Sequence, residues 1–365
     1  MRRRIERARC RVLVVVLALG SLAPDVSAQE TVTFRGAATF YGDNSEFSNL
    51  FRNGDTLFGT AARFAIDVAF NDIVTFRGGV FLNHRFASEP FVETVRPMFA
   101  LTFRSEHQLF TMGTLDARGH RDGFGLDHRG PHGLIPPLQT ETLEFVRPYE
   151  AGLQWQLSYP EFEQDAWIGW QRLNTVDARE RFDVGAEGRR PVGTALKMSV
   201  AYQFHLVHEG GQQFASGPVR DSWAVGPGLI IEPRLRFFDR TEVEGYAMFS
   251  RHVPDRSGLG DAGHGHGIFT RITAEKSSWR GHLIVWGACD WIKEEGDENY
   301  GSLRLDDRRF LNTRHYGEIG VTKTFHPADG VDVEGSARFH RVEKDYNYSY
   351  RILAHVGLDV LVWRR

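Results

Sequence analysis

The sequence predicts an all-β fold, a transmembrane antiparallel up-and-down β-barrel of about sixteen strands (about 14–18) with long external loops and short periplasmic turns. Three observations predict it. From Glu30 to the end the hydrophobic pattern has period two rather than 3.6. The connections between such segments tend to alternate long and short along the chain. No apolar run long enough for a spanning helix follows the first stretch of the chain. Composition agrees, with 27 Phe and 38 Gly in 365 residues and a mean hydropathy of −0.35. Two cysteines exclude a disulfide scaffold and any multi-cysteine zinc site, and the even spread of charge excludes a nucleic-acid binder.

The first 28 residues read as a signal peptide. Arg2, Arg3, Arg4, Arg7, Arg9 and Arg11 form a basic region, Val12 to Leu19 an apolar one, and Val26-Ser27-Ala28 a small-residue cleavage site. Cys10 precedes the apolar stretch, so it is not the lipidated cysteine of a lipoprotein. Removing the segment takes six Arg with Glu6 and Asp25, which leaves 38 basic against 45 acidic residues, a net charge of −7. Residues 29–365 are then expected to form a single barrel domain in the outer membrane.

The alternation is clearest around Val74–Arg85, where Val74, Phe76, Gly78, Val80 and Leu82 oppose Thr75, Arg77, Gly79, Phe81, Asn83 and Arg85. It recurs with Phe64, Ile66 and Val68 against Arg63 and Asp67, and with Phe99 and Leu101 against Arg96 and Arg104. Counting such segments places strands near 31–42, 56–70, 73–85, 93–104, 107–115, 149–159, 163–172, 180–188, 194–208, 221–232, 240–251, 267–276, 279–293, 314–325, 330–343 and 348–363. Short connections fall at Asn71-Asp72, Pro160-Glu161-Phe162, Gly188-Arg189-Arg190-Pro191 and Ser277-Ser278. Long ones run roughly 43–55, 116–148, 209–220, 252–266 and 294–313. Inside lipid every backbone polar group must be paired, so only helices or a closed barrel can span it. Phe40, Tyr41, Phe70, Tyr149, Tyr159 and Trp363 are candidate girdle aromatics.

On this pattern nearly the whole mature chain resembles bacterial outer-membrane porins in architecture. The final strand, Ile352 to Trp363, looks like the carboxy-terminal strand read by the barrel-assembly machinery, except that Arg364 and Arg365 follow the last aromatic. The resemblance implies a passive channel for small polar or charged solutes. Its partners would be outer-membrane lipid and lipopolysaccharide, the assembly machinery and solutes in the lumen, with no cofactor and no catalysis. The oligomeric state is not legible, because lipid-facing and subunit-facing strands are both apolar. A dedicated conduit for an oligosaccharide or exopolysaccharide is the alternative, since Phe81, Trp167, Trp286 and Tyr246 fall on the inward parity.

Sixteen strands enclose more space than wall side chains alone fill. The outsized loop at about 116–148 is at the ordinal position where porins carry an inward constriction. Its candidate constriction residues are Asp116, Arg118, Arg121, Asp122, Asp127 and Arg129. Arg35, Arg63, Arg77, Arg85, Arg96 and Arg104 fall on the polar face of the first four strands. Glu232, Glu242 and Glu244 fall on that of the tenth and eleventh, which predicts a basic wall opposite an acidic one. The competing reading is that these arginines pair with acids such as Asp67 and stiffen the wall.

Other signals are weaker. Gly263-His264-Gly265-His266-Gly267 sets two imidazoles in an external loop near Asp255 and Asp261. They could ligate a divalent metal, but a Gly-rich loop that happens to contain His is the favoured reading. His315, at a strand entrance, needs no function. A barrel enzyme acting on lipid would need a Ser and a His on adjacent wall strands. The phospholipase pattern, a His two residues before Ser-Asn-Gly, is absent, so a lipid-acting enzyme is the least favoured expectation.

Overall fold

The computed structural model describes residues 30–90, 92–116, 129–193, 197–211, 214, 217–305 and 310–365. The expected signal segment therefore lies outside the described residues, as do Arg118, Arg121, Asp122 and Asp127.

Sixteen antiparallel strands close into one barrel, each paired with its sequence neighbours, and β1 completes the ring against β16. The strands are β1 Thr31–Ser48, β2 Asn53–Ala69, β3 Val74–Arg85, β4 Thr94–Arg104, β5 Gln108–Thr114, β6 Ala151–Tyr159, β7 Phe162–Arg172 and β8 Glu180–Gly193. They continue as β9 Met198–Gly210, β10 Arg220–Ile231, β11 Arg240–Val253, β12 Gly263–Lys276, β13 Trp279–Cys289, β14 Thr313–Ala328, β15 Val331–Val342 and β16 Asp345–Arg364. β1 begins and β16 ends at the short-turn end, where Ser277-Ser278 and Asp329-Gly330 turn in two residues. Gly330 has φ +72°, which suits glycine in so tight a turn.

Period-two alternation sorts the side chains by environment. Outward-facing Phe64, Ile66, Phe99, Leu153, Leu229, Ile268, Val285, Ile319 and Ile352 are exposed, which only an apolar solvent makes stable over so wide a band. Inward-facing Asp67, Asn83, Gln154, Asp183, Gln203, His205, Glu244, Arg271 and Arg338 are buried.

Several boundaries differ from those expected. β1 and β2 run on to Ser48 and from Asn53, so the expected loop at 43–55 shrinks to a short turn. Gly188-Arg189-Arg190-Pro191 lies inside β8, because glycine and arginine there sit on a ladder with β9 that continues to Gly193. His264 and His266 are strand residues of β12, not loop residues. Tyr41 points inward, buried against Phe145 with ring centroids 4.8 Å apart, rather than joining a girdle. Glu232 lies past the end of β10.

The lumen is filled at its external end by two loops. Leu134, Ile135 and Leu138 from the 115–150 connection are fully buried, and so are Trp291 and Tyr300 from the 290–312 connection. They join Trp167, Tyr246, Phe269, Ile284, Trp286 and Tyr316 of the wall in one cluster. The two loops bond each other, through Thr140 N to Glu295 O at 2.6 Å and Asp297 N to Pro136 O at 2.9 Å. The inward aromatics therefore pack against loops instead of lining open water.

Trp286 stands edge-on to Trp291 at 5.1 Å and donates Nε1–H to Tyr300 O. Truncating Trp286 to Ala should cost about 3–5 kcal/mol, whereas Ile319→Ala on the outward face should cost less than half as much. Unfolding of the detergent-solubilised barrel, followed by its heat-modifiable gel migration, measures both.

Candidate functional site

Charge holds the inward loop. Arg129 bonds Glu244 of β11 through Nη2 at 2.6 and 2.7 Å. Glu141 is bonded by Arg338 of β15 and lies 3.1 Å from Arg351 of β16. Arg351 Nε also donates to Asp43 of β1 at 2.7 Å. Arg147, after the short helix α1 (Leu143–Val146), forks onto Glu295 of the second loop at 2.7 and 3.1 Å. Burial would push the Glu295 carboxyl up, but Arg147 holds it well below the usual range. Breaking one member of such a buried pair typically costs about 3–5 kcal/mol, because the other charge is left unpaired.

His132 also anchors the loop. Its ring stacks on Trp167 at 3.9 Å and 8°, with Nε2 2.7 Å from Glu150 and Nδ1 3.0 Å from Asp165. The Trp167 indole lies across Gly185, where an added Cβ would come within 2.0 Å of it. Burial acts to lower the His132 pKa, but the two carboxylates overcome it and raise it to about 10.

At the external ends of β14, β15 and β16 the wall carries a different arrangement. Ser349 Oγ lies 2.8 Å from His340 Nε2. His340 Nδ1 lies 2.8 Å from the Tyr316 hydroxyl, which donates to Glu318 Oε2 at 2.5 Å. Glu318 Oε2 is itself 3.4 Å from His340 Nδ1, and its Oε1 is 2.7 Å from His282 Nε2. Ser349, His340, Tyr316 and Glu318 are all at most 5% exposed. The register explains why they meet. Arg338 pairs with Ser349 and His340 with Asn347, so His340 and Ser349 are diagonal neighbours on the inward face. Asn347 accepts from Ser48 N through Oδ1, while its Nδ2 is buried with no hydrogen-bond partner.

Chemically this is an alcohol whose proton can pass to an imidazole, with that imidazole's second nitrogen oriented by a phenol and a carboxylate. Such an arrangement makes a serine nucleophilic. The unspent Asn347 N–H, two residues before Ser349 on the same inward face of β16, is a donor of the kind a developing oxyanion needs. Pro136 and Glu141 of the first loop and Asp297 and Tyr300 of the second cover the cavity in front, which is about 10 Å³, room for one water.

Most of the residues expected to line a pore are engaged in other contacts. Arg35 and Arg77 both bond Asp67, at 2.7 Å each. Arg63 donates to Pro148 O of the inward loop, and Arg85 to Glu93. Arg96 and Arg104 share the inward parity of β4 and are exposed. Glu242 pairs with Arg240, and Glu244 is shut beneath Arg129. Glu232, off the wall, is 3.6 Å from Lys197. Asp116 is hydrogen-bonded through its backbone to the Gln154 side chain. Arg35, Arg77, Arg85, Glu232, Glu242 and Glu244 are thus each paired with an opposite charge. None of Ser349, His340, Tyr316, Glu318 or Asn347 was singled out from the sequence. A cross-strand pair leaves no local motif, and its only signal was the parity of the last hairpin.

His132 gives a pH signature. Its folded pKa lies above the ordinary 6.5, so its stabilisation of the loop is complete below about 6.5 and fades as pH rises through about 10. The Trp167 component of the emission, isolated by difference from Trp167→Phe, should step near pH 10. A step near 6.5, or none, would contradict the clamp.

In fold the barrel is similar to solved outer-membrane proteins. A loop L8 deletion mutant of OmpT of Vibrio cholerae superposes with a TM-score of 0.55 at 11% identity, covering 90% of this chain and 99% of that one. OccK8 (OprE) of Pseudomonas aeruginosa gives 0.51 at 11%, covering 90% and 98%. The outer membrane protein OpdK of the same organism gives 0.50 at 10%, covering 90% and 99%. No curated protein matches the chain. The sequence model of the lipid A 3'-O-deacylase-type family, however, matches residues 24–364. That is a family of enzymes, which corrects the expectation of no catalysis drawn from porin-like architecture. By a match over nearly its whole length, the chain belongs to the lipid A 3'-O-deacylase-type family.

Proposed function

We propose that the protein is an outer-membrane hydrolase that removes an ester-linked acyl chain from lipid A. The observation that carries the reading is the line from Ser349 through His340 to Tyr316 and Glu318, in a chain of this family. Pro136, Glu141, Asp297 and Tyr300 have to move aside before an acyl ester reaches Ser349, because the cavity there holds only about one water. Ser349 Oγ then attacks the ester carbonyl carbon while His340 Nε2 takes its proton. Asn347 Nδ2 donates to the oxyanion that forms. The carbon–oxygen bond to the sugar breaks as the departing alkoxide takes the proton back from His340. Water, deprotonated by the same imidazole, then releases the fatty acid from Ser349. Tyr316 and Glu318 fix the tautomer of His340 and stabilise its charged form, the role that an acid behind an imidazole plays in general.

The passive-channel expectation has less support. A general pore requires an open path, and in this barrel buried loop residues held by ion pairs occupy the external end.

Lipid A incubated with the refolded barrel should lose one ester-linked chain by mass spectrometry. Ser349→Ala and His340→Gln should each lower the rate at least about 100-fold, and Asn347→Ala by about 10²–10³. Full activity in Ser349→Ala would overturn the assignment of the nucleophile. In liposome swelling, graded sugars should not permeate; a smooth size cutoff would support the channel instead.

A further inference from the structure

We infer that the outer wall over β11–β15 carries a binding belt for the phosphorylated headgroup of a glycolipid in the external leaflet. The ligand choice rests on the lipid A reading above. Its evidence is separate, because the belt is on the opposite face of the wall from Ser349.

The parity of β12, β14 and β15 turns His264, His266, His315 and Arg341 outward, all exposed, and Arg251 shares the outward parity of β11. The register draws them into a row. Arg251 pairs with His264, His266 is two residues further along β12 and pairs with Cys289, and Gly287 pairs with His315. Gly317, two residues on, pairs with Arg341. Directly toward the short-turn end, the next outward side chains beyond this row are Phe249, Ile268, Val285, Ile319 and Phe339, exposed by 50, 66, 54, 59 and 49%. The row therefore lies at the upper edge of the apolar band, at the level where lipid headgroups meet water.

The chemistry there fits phosphate. Arg presents a planar fork of donors to phosphate oxygens, and imidazole N–H groups add further donors. Arg251 Nε is enclosed and makes no hydrogen bond. Glu343, 3.6 Å from His315 Nδ1, is already bonded by Arg314 at 2.6 Å. A metal is not the fit, because among the described residues no group of three or more His, Cys, Asp or Glu converges on one point. The row adjoins the apolar band directly, so a lipid whose chains lie on the band and whose headgroup meets the row satisfies both, whereas a soluble anion satisfies the row alone.

The test is binding of purified bis-phosphorylated lipid A in mixed micelles to the refolded full chain. Lipid A stripped of phosphate and inorganic phosphate are the comparison probes. The phosphorylated lipid should bind at least 10-fold tighter than the stripped one. R251Q/H264Q/H266Q/H315Q/R341Q together should erase that difference while heat-modifiable migration is unchanged, and R251K/R341K should retain most of it. Equal binding of the two lipids, or unchanged preference in the five-fold variant, would overturn the belt. Displacement by millimolar inorganic phosphate would overturn the lipid assignment. Ser349→Ala should bind as the parent does, so loss of hydrolysis and loss of binding are separable.

Discussion

Closure of β1 against β16 is the constraint on which everything else depends. Thr31 pairs with Arg364 at one end of the seam and Glu46 with Tyr348 at the other, so no strand edge meets lipid. Closing the ring at sixteen strands fixes a lumen too wide for wall side chains to fill. The protein has to leave that space as water or occupy it with chain, and here it occupies the external end with chain.

Filling a polar-walled lumen brings charge into burial. The structure meets this by matching each inserted charge to a wall or loop partner, Arg129 to Glu244, Glu141 to Arg338 and Arg351, Arg147 to Glu295. Buried pairs of this kind add little net stability over apolar packing, but a lost partner is expensive, so they specify one seating of the loops. His340 is fixed by Tyr316 and Glu318 from β14 and faces Ser349 from β16, all on strands whose register is set by the ring. Rigid strands hold such a constellation more closely than loops do.

Much of the fold was legible because alternation is local. Arg63, Asp67 and Arg77 could be turned inward from their neighbours Phe64, Ile66 and Phe76 alone, and the sixteen-strand count follows from repeating that step. The site was not legible, for two physical reasons. Alternation alone sets the turn between β15 and β16 at about 344–347, whereas β16 begins at Asp345. On that pattern Tyr346, Asn347 and Tyr348 fall outside or at the edge of the strand, and the His340–Ser349 diagonal does not show. The loop pairings were beyond reach for another reason: Glu141 and Arg338 are 197 residues apart, and charge pattern alone does not select partners at that distance. The channel reading came from architecture, which barrels of different function share.

The central claim is that Ser349 is a nucleophile activated by His340, and covalent trapping tests it most directly. After incubation of the refolded barrel with a lipophilic fluorophosphonate, peptide mass spectrometry should find the label on Ser349. It should be lost in His340→Gln although the barrel remains heat-modifiable. An unlabelled Ser349 in the active protein, or equal labelling without the imidazole, would contradict the account.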